Sequence, residues 1–464
     1  MTRQTTSPPP VSEEPRRRGS RVVEPPQQKR TLAVLVTAQV LSGAGLAAGI
    51  TVGALLAQDM LGATRLAGLP AALFTIGAAG AALAVGRISQ RFGRRAGLAT
   101  GYLTGAAGSI GVLAAAVLDN AALLFLSLVV YGAGTATTMQ ARYAGADLAH
   151  PTRRGRAVST VLVATTLGAV VGPNLVTVTG DLAQAWGIPP LAGPFLLAAA
   201  AYGAAGLVLL VLLRPDPLRL ADELATTTPP GAGSESPMAA GRAPHRVVPV
   251  AATVMITAQL VMVAVMTMTP IHMQAHGHSI AAAGLVIAVH IGAMFLPSPL
   301  SGWLVDRFGA RVVAACSGAT LLTAGVVAMA APVHSVAALA VALALLGLGW
   351  SFGIVSGTAM LAAAVPLAVR ARVQGNVDLC IALAGATGGL ASGVVVASTS
   401  YAALTLAGGL IAAAIVPVVA ARLPAKAVGR GTHESRLRTR TAPTLPVSVP
   451  PGSSASTKRD SPPI

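Results

Sequence analysis

Charge is what this sequence has least of. Only 10% of its 464 residues are Asp, Glu, Lys or Arg, against about a quarter in soluble globular chains. With a mean hydropathy of +0.71, that scarcity excludes a soluble domain. Aromatic residues make up 3%, so the formal charge of +17 lacks the stacking partners of a nucleic-acid surface and points to a lipid bilayer instead. The two cysteines, Cys316 and Cys380, lie in apolar segments without C-x-x-C spacing, which excludes a disulfide framework and a thiolate metal site. No Gly-Lys pair and no H-E-x-x-H occur, which removes the P-loop and the zinc-protease readings. Neither cofactor nor metal is expected, and any active transport must draw on an ion gradient.

What is present is a series of long apolar runs. A bilayer core of about 30 Å takes roughly 20 residues of helix, and every backbone polar group must be satisfied within the span. The runs predict twelve helices, at 31–57, 66–88, 96–118, 121–145, 155–178, 191–213, 247–270, 281–303, 310–331, 335–362, 373–397 and 400–421. Lys and Arg collect on the cytoplasmic side of membrane proteins. With the N-terminus inside, all but Arg65 of the 32 Lys and Arg fall on that side. The reading is therefore an all-α, multi-pass bacterial plasma-membrane protein with both termini cytoplasmic. Residues 1–30 and 423–464, rich in Pro, Ser, Thr and Arg, read as disordered tails. Residues 214–246 read as a flexible cytoplasmic linker between bundles at 31–213 and 247–422.

The two bundles repeat one another. GRISQRFGRR, from Gly86, matches GWLVDRFGAR, from Gly302, at an offset of 216 (302 minus 86). Arg154 and Arg156 match Arg370 and Arg372 at the same offset, while Gln39 matches Gln259 at 220 (259 minus 39). Two six-helix units in the same orientation imply an axis along the membrane normal, with a polar pathway between the units. The glycines of the repeated loop permit tight turns, and its arginines can bind helix C-termini or a neighbouring carboxylate.

In these features the chain resembles the major facilitator superfamily over about residues 30–422, in the twelve-helix, drug/proton-antiporter-like type. That family's loop motif, G-x-L-x-D-R-x-G-R-R/K, is matched by Gly86, Arg91, Gly93, Arg94 and Arg95, with Gln90 where the family has Asp. A weaker second copy has Gly302, Asp306, Arg307, Gly309 and Arg311. The resemblance implies that these loops latch the cytoplasmic face, more weakly at Gln90. It also implies a structural ion-pair role for Arg142 and Asp147 at the end of helix 4, with Asp147 meeting Arg91 or Arg94. Gly168, Gly172 and Pro173 resemble the antiporter motif of helix 5 without its trailing glycine pair.

Polar groups deep in a bundle are costly and usually face its interior or a wet cavity. Gln39 and Gln259 hold related positions and can meet a substrate from both sides, or serve as hydrogen bonds between helices. Met262 and Met266 share a face suited to a loosely specific apolar solute. His290, near the midplane, is a candidate for substrate binding and proton coupling, because imidazole changes charge near neutral pH; the alternative is a hydrogen-bonded core histidine. Asp378, six residues into the expected helix 11, is the other proton-coupling candidate, its alternative being a pair with a helix end or with Gln90. The expected function is proton-coupled efflux of a small hydrophobic or amphipathic molecule by a monomer. Proton-coupled uptake of a metabolite is the second reading, and a non-transporting membrane sensor the third.

Overall fold

The computed structural model describes residues 25–61, 69–227 and 244–422. Residues 1–24 and 423–464 of the expected tails, and the linker between 228 and 243, lie outside the described residues, while residues 27–30, expected in the N-terminal tail, open α1 because it begins at Gln27. The first half comprises α1 (Gln27–Leu61), α2 (Leu69–Phe92), α3 (Arg94–Val117), α4 (Ala121–Asp147), α5 (Arg154–Asn174) running on into α6 (Val176–Ala185), and α7 (Gly193–Leu212). After a short connecting helix, α8 (Pro217–Thr227), the second half repeats the plan. It has α9 (Pro244–Ala275), α10 (Ile280–Phe295) running on into α11 (Ser298–Phe308), α12 (Ala310–Ala330), α13 (Val336–Ala364), α14 (Leu367–Ser398), and α15 (Tyr401–Ala413) running on into α16 (Ile415–Arg422). Among the described residues ten helical segments are long and apolar enough to cross a membrane. The α1 helix and the α5–α6 pair complete the twelve spans.

Local chemistry sets the boundaries. The shortest expected turn is real: Asp119 takes φ 47°, and the Asn120 side chain caps α4 by accepting from the Leu123 N–H at 3.0 Å. Ser400 caps α15 in the same way, from Ala403. Three spans break where proline removes a backbone donor or crowds the preceding turn. The breaks fall at Leu175 after Pro173, at Leu296–Pro297, and at Ala414 ahead of Pro417.

Two expectations need correction. Helix α14 begins at Leu367 rather than 373, because Arg370 is buried against a carboxylate and so does not end the span. Part of the expected flexible linker is the helix α8. Asp216 caps it from Leu218 at 3.0 Å and also accepts from the Arg95 N–H at 2.7 Å, which ties it to the start of α3.

Each half has its own apolar core. In the first, Tyr102 stacks on Tyr202 at 5.9 Å and Tyr131 meets Phe195 edge-on at 5.4 Å. Small residues let the helices approach closely, as membrane packing requires when lipid offers no hydrophobic drive for association. A Cβ on Gly168 would lie 2.0 Å from the Val40 carbonyl oxygen, so α5 sits directly on the α1 backbone. Gly172 and Pro173 fall within α5, but their packing lies outside the described residues.

Candidate functional site

The two copies of the loop motif make the same contact from opposite sides. Gly93 and Gly309 take φ values of 93° and 91°, a left-handed turn that side chains resist. Each turns the chain sharply from one span to the next. Just before it, Gln90 reaches across to the start of α14. Its Oε1 accepts from the N–H of Ala371 at 2.9 Å and of Arg372 at 3.4 Å, while its Nε2 donates to Leu367. Asp306 does the same to the start of α5, accepting from Gly155 at 2.8 Å and Arg156 at 3.1 Å. All the residue numbers differ by 216 (306 minus 90, 371 minus 155, 372 minus 156), so the pseudo-twofold relation holds down to single hydrogen bonds. Asp306 caps the N-terminus of α5, where free N–H groups and the helix dipole favour an acceptor, whereas Gln90 meets α14 one turn in, bridging the Leu367 carbonyl and the Ala371 N–H.

The glycines at 86 and 302 permit the approach. A Cβ on Gly86 would lie 2.9 Å from the Ala371 oxygen and from Gly375 Cα, and one on Gly302 would lie 2.3 Å from Ser159 Oγ. Replacing Asp306 by Ala is expected to weaken the closed arrangement by about 1 kcal/mol, the usual worth of a cap. Distances between spin labels on the two loops joined by this contact should then broaden toward longer values; an unchanged distribution would show that the cap does not hold the loops together.

Behind the caps lies a buried ionic layer. Arg94, with no exposed side-chain surface, donates from Nε to Asp147 Oδ2 at 2.8 Å and from Nη2 to Gln374 across the interface. Arg370 approaches the other oxygen of Asp147 at 3.7 Å. Deeper still, Arg142 Nη2 meets Asp378 Oδ1 at 2.6 Å, and the Tyr143 hydroxyl donates to the same oxygen at 3.0 Å. Arg142 Nε also donates to Thr358 Oγ1 at 3.0 Å, and its guanidinium lies over the Tyr143 ring at 4.3 Å. The second oxygen of Asp378 has no partner among the described residues. Among those residues, the hydrogen bonds between the halves gather at this end, and Tyr143, Ala146, Val158 and Leu162 of the first half join the core of the second. The motif end is closed.

Several residues stand differently from the sequence reading. Asp147 pairs with Arg94, one of its two expected partners, while Arg142 takes a partner in the other half. Five positions apart, they point about 140° apart around the helix, so Arg142 finds Asp378 and Asp147 finds Arg94. Arg91 is exposed and lies over the Phe92 ring at 5.1 Å, away from Asp147. Asp378 is eleven residues into α14 (378 minus 367), about 16 Å along it.

Gln39 is fully buried within its own half. Its Nε2 donates to Thr138 and to Thr165 at 3.1 and 2.9 Å, and its Oε1 accepts from Tyr102. That set engages both ends of its amide with neighbouring helices of its own half. Gln259 is half-buried and accepts from Trp350 Nε1 at 2.7 Å. Met262 is packed in the core, whereas Met266 is partly exposed. His290 is buried with Nδ1 2.8 Å from the Leu343 oxygen and Nε2 without a partner among the described residues; its hydrogen bond stays within its own half, apart from Asp378. Arg307 is exposed, and Arg95 and Arg311 are half-buried. Sequence reasoning missed Tyr143, Thr358, Gln374 and Asp216. Only Gln374 carried a signal, being one turn from Arg370 in a segment already matched to the repeat.

Residues 35–294 and 250–451 match the family model of the Major Facilitator Superfamily. The chain is 55% identical to the uncharacterized MFS-type transporter YdeG of Bacillus subtilis over 392 residues, 84% of this chain and 91% of that one. It is 34% identical to the riboflavin transporter RfnT of Brucella anthropi over 357 residues, 75% of this chain and 85% of that one. Among solved structures, that of the human organic anion transporter MFSD10 superposes with a TM-score of 0.67 at 16% identity, covering 85% of this chain and 100% of the other. With two six-span halves, paired caps at a 216-residue offset and this family match, the chain belongs to the Major Facilitator Superfamily, whose members are membrane transporters.

Proposed function

We propose that this chain is a proton-coupled secondary transporter that exports a small amphipathic molecule by alternating access, acting as a monomer in a bacterial plasma membrane with both termini cytoplasmic. In that orientation the closed motif end is the cytoplasmic gate. The observation that carries the reading is the buried bridge from Arg142 to Asp378. It joins the two halves, and one of its members is a carboxylate that can take up a proton. A proton on Asp378 removes the negative charge facing Arg142 and weakens the tie between the halves, so proton binding and gate opening act on the same contact. The half-buried Gln259 and Met266 supply a sparsely polar, adaptable wall for solute. Export is favoured by the close seating of Gly168 of the antiporter-like motif on α1.

Uptake is the second reading, favoured by the 34% identity to a riboflavin transporter. Both readings are tested in vesicles energised by a pH gradient, with riboflavin and a panel of amphipathic dyes as probes. Export predicts accumulation in inverted vesicles with an acid lumen, abolished by an ionophore. Accumulation only in right-side-out vesicles with acid outside selects uptake, and indifference to the gradient in both orientations rejects proton coupling.

A further inference from the structure

The two caps are related in position but unequal in charge. At the second, the Asp306 carboxylate faces the Arg156 guanidinium at 3.8 Å while capping α5. At the first, Arg372 takes the place of Arg156 and Gln90 that of Asp306, so the counter-charge is missing. Around Gln90 the surface opens into a cavity of about 260 Å³ lined by Arg87, Gln90, Arg91 and Arg372. All three arginines are exposed and no carboxylate is among the lining residues. Two come from the first half and one from the second.

We propose that this cavity binds a phosphate-bearing anion, held jointly by Arg87, Arg91 and Arg372, and that its source is the headgroup of an anionic phospholipid. Three arginines lining one open surface recess suit a phosphate, whose oxygens accept several charge-assisted hydrogen bonds. The orientation of the cavity argues for lipid. On α2 the exposed positions Ile76, Gly80, Ala84, Arg87 and Arg91 form one stripe. On α14 the exposed positions Arg372, Asn376, Cys380, Leu383, Thr387 and Leu390 form another. At about 100° per residue, the α14 stripe lies on the far side of the helix from Asp378, which faces the space between the halves. The cavity therefore sits where two outward-facing stripes, apolar on α2 above Arg87 and mixed on α14, end in arginine, the depth at which headgroups meet helix ends. A bound phosphate supplies the charge that Asp306 provides at the other cap and bridges α2 to α14. Parting of the halves separates Arg372 from Arg87 and Arg91 and dismantles the site, so the lipid favours the closed motif end.

The test is retention of phosphatidylglycerol by the purified full-length protein, read by native mass spectrometry, with phosphatidylcholine as the neutral control. Wild type should retain phosphatidylglycerol selectively, and Arg87→Gln and Arg372→Gln should each weaken retention roughly fivefold. Gln90→Asp, which places a carboxylate among the arginines, should weaken it as well. Equal retention by wild type and the Arg87→Gln/Arg372→Gln double variant overturns the site. Glycerol 3-phosphate and inorganic phosphate form the soluble arm: failure to displace the lipid supports the headgroup as source, and displacement at low concentration overturns the lipid assignment in favour of a soluble phosphate.

Discussion

Asp378→Asn is expected to abolish proton-driven transport and to lower the unfolding free energy by about 3–5 kcal/mol, the cost of leaving one member of a buried ion pair alone. The Arg142 and Asp378 side chains are 1% and 7% exposed, so water cannot replace the lost carboxylate. The amide keeps a hydrogen-bond acceptor for Tyr143 but no charge for Arg142. The double variant Arg142→Gln/Asp378→Asn separates the two effects, because it removes both charges together. It should regain most of the stability and still fail to couple protons to solute. Unfolding in detergent reports the first quantity and pH-gradient-driven flux the second. If Asp378→Asn moves protons and solute as wild type does, the coupling role is wrong. If it is as stable as wild type, the bridge is not the tie between the halves that its 2.6 Å geometry implies.

The second large effect is expected at Arg94. Both its side chain and that of Asp147 are wholly buried, and its fork serves two partners, Asp147 within the first half and Gln374 in the second. Arg94→Ala leaves Asp147 with only Arg370, at 3.7 Å, and should destabilise by about 3–5 kcal/mol. Arg94→Lys should not rescue it, because an ammonium on a single stem cannot reproduce the two-directional fork. A double-mutant cycle with Asp147→Asn isolates the pair. A coupling energy below about 0.5 kcal/mol, the level of independent sites, would show that the pair contributes nothing of its own.

The repeat explains why so much of the architecture was legible beforehand. Apolar length, the side on which arginines fall, and the offset of 216 are properties of the chain read in order. They follow from a solvent that admits only helices and sorts charge by side, so span number, helical class and the paired loop glycines needed no coordinates. Helix ends were less legible wherever a charge lay inside a span, as at Arg370, because a buried partner makes tolerable what hydropathy counts as an end.

Which side chains meet was a matter for the tertiary structure alone. Gln39 and Gln259 are equivalents in sequence, yet Thr138, Thr165 and Tyr102 enclose the first while the second stays half-open, because neighbouring helices differ between the halves. Arg142 was expected in an ion pair with no partner named, and it crosses the interface to Asp378, a choice set by rotation about the helix axis and by a partner 236 positions away. The sequence determined a duplicated membrane bundle with a glycine turn at the same place in each half. The pairing of its few buried charges depended on how the two halves face each other, since an ion pair in a low-dielectric interior forms only where packing brings both partners within reach.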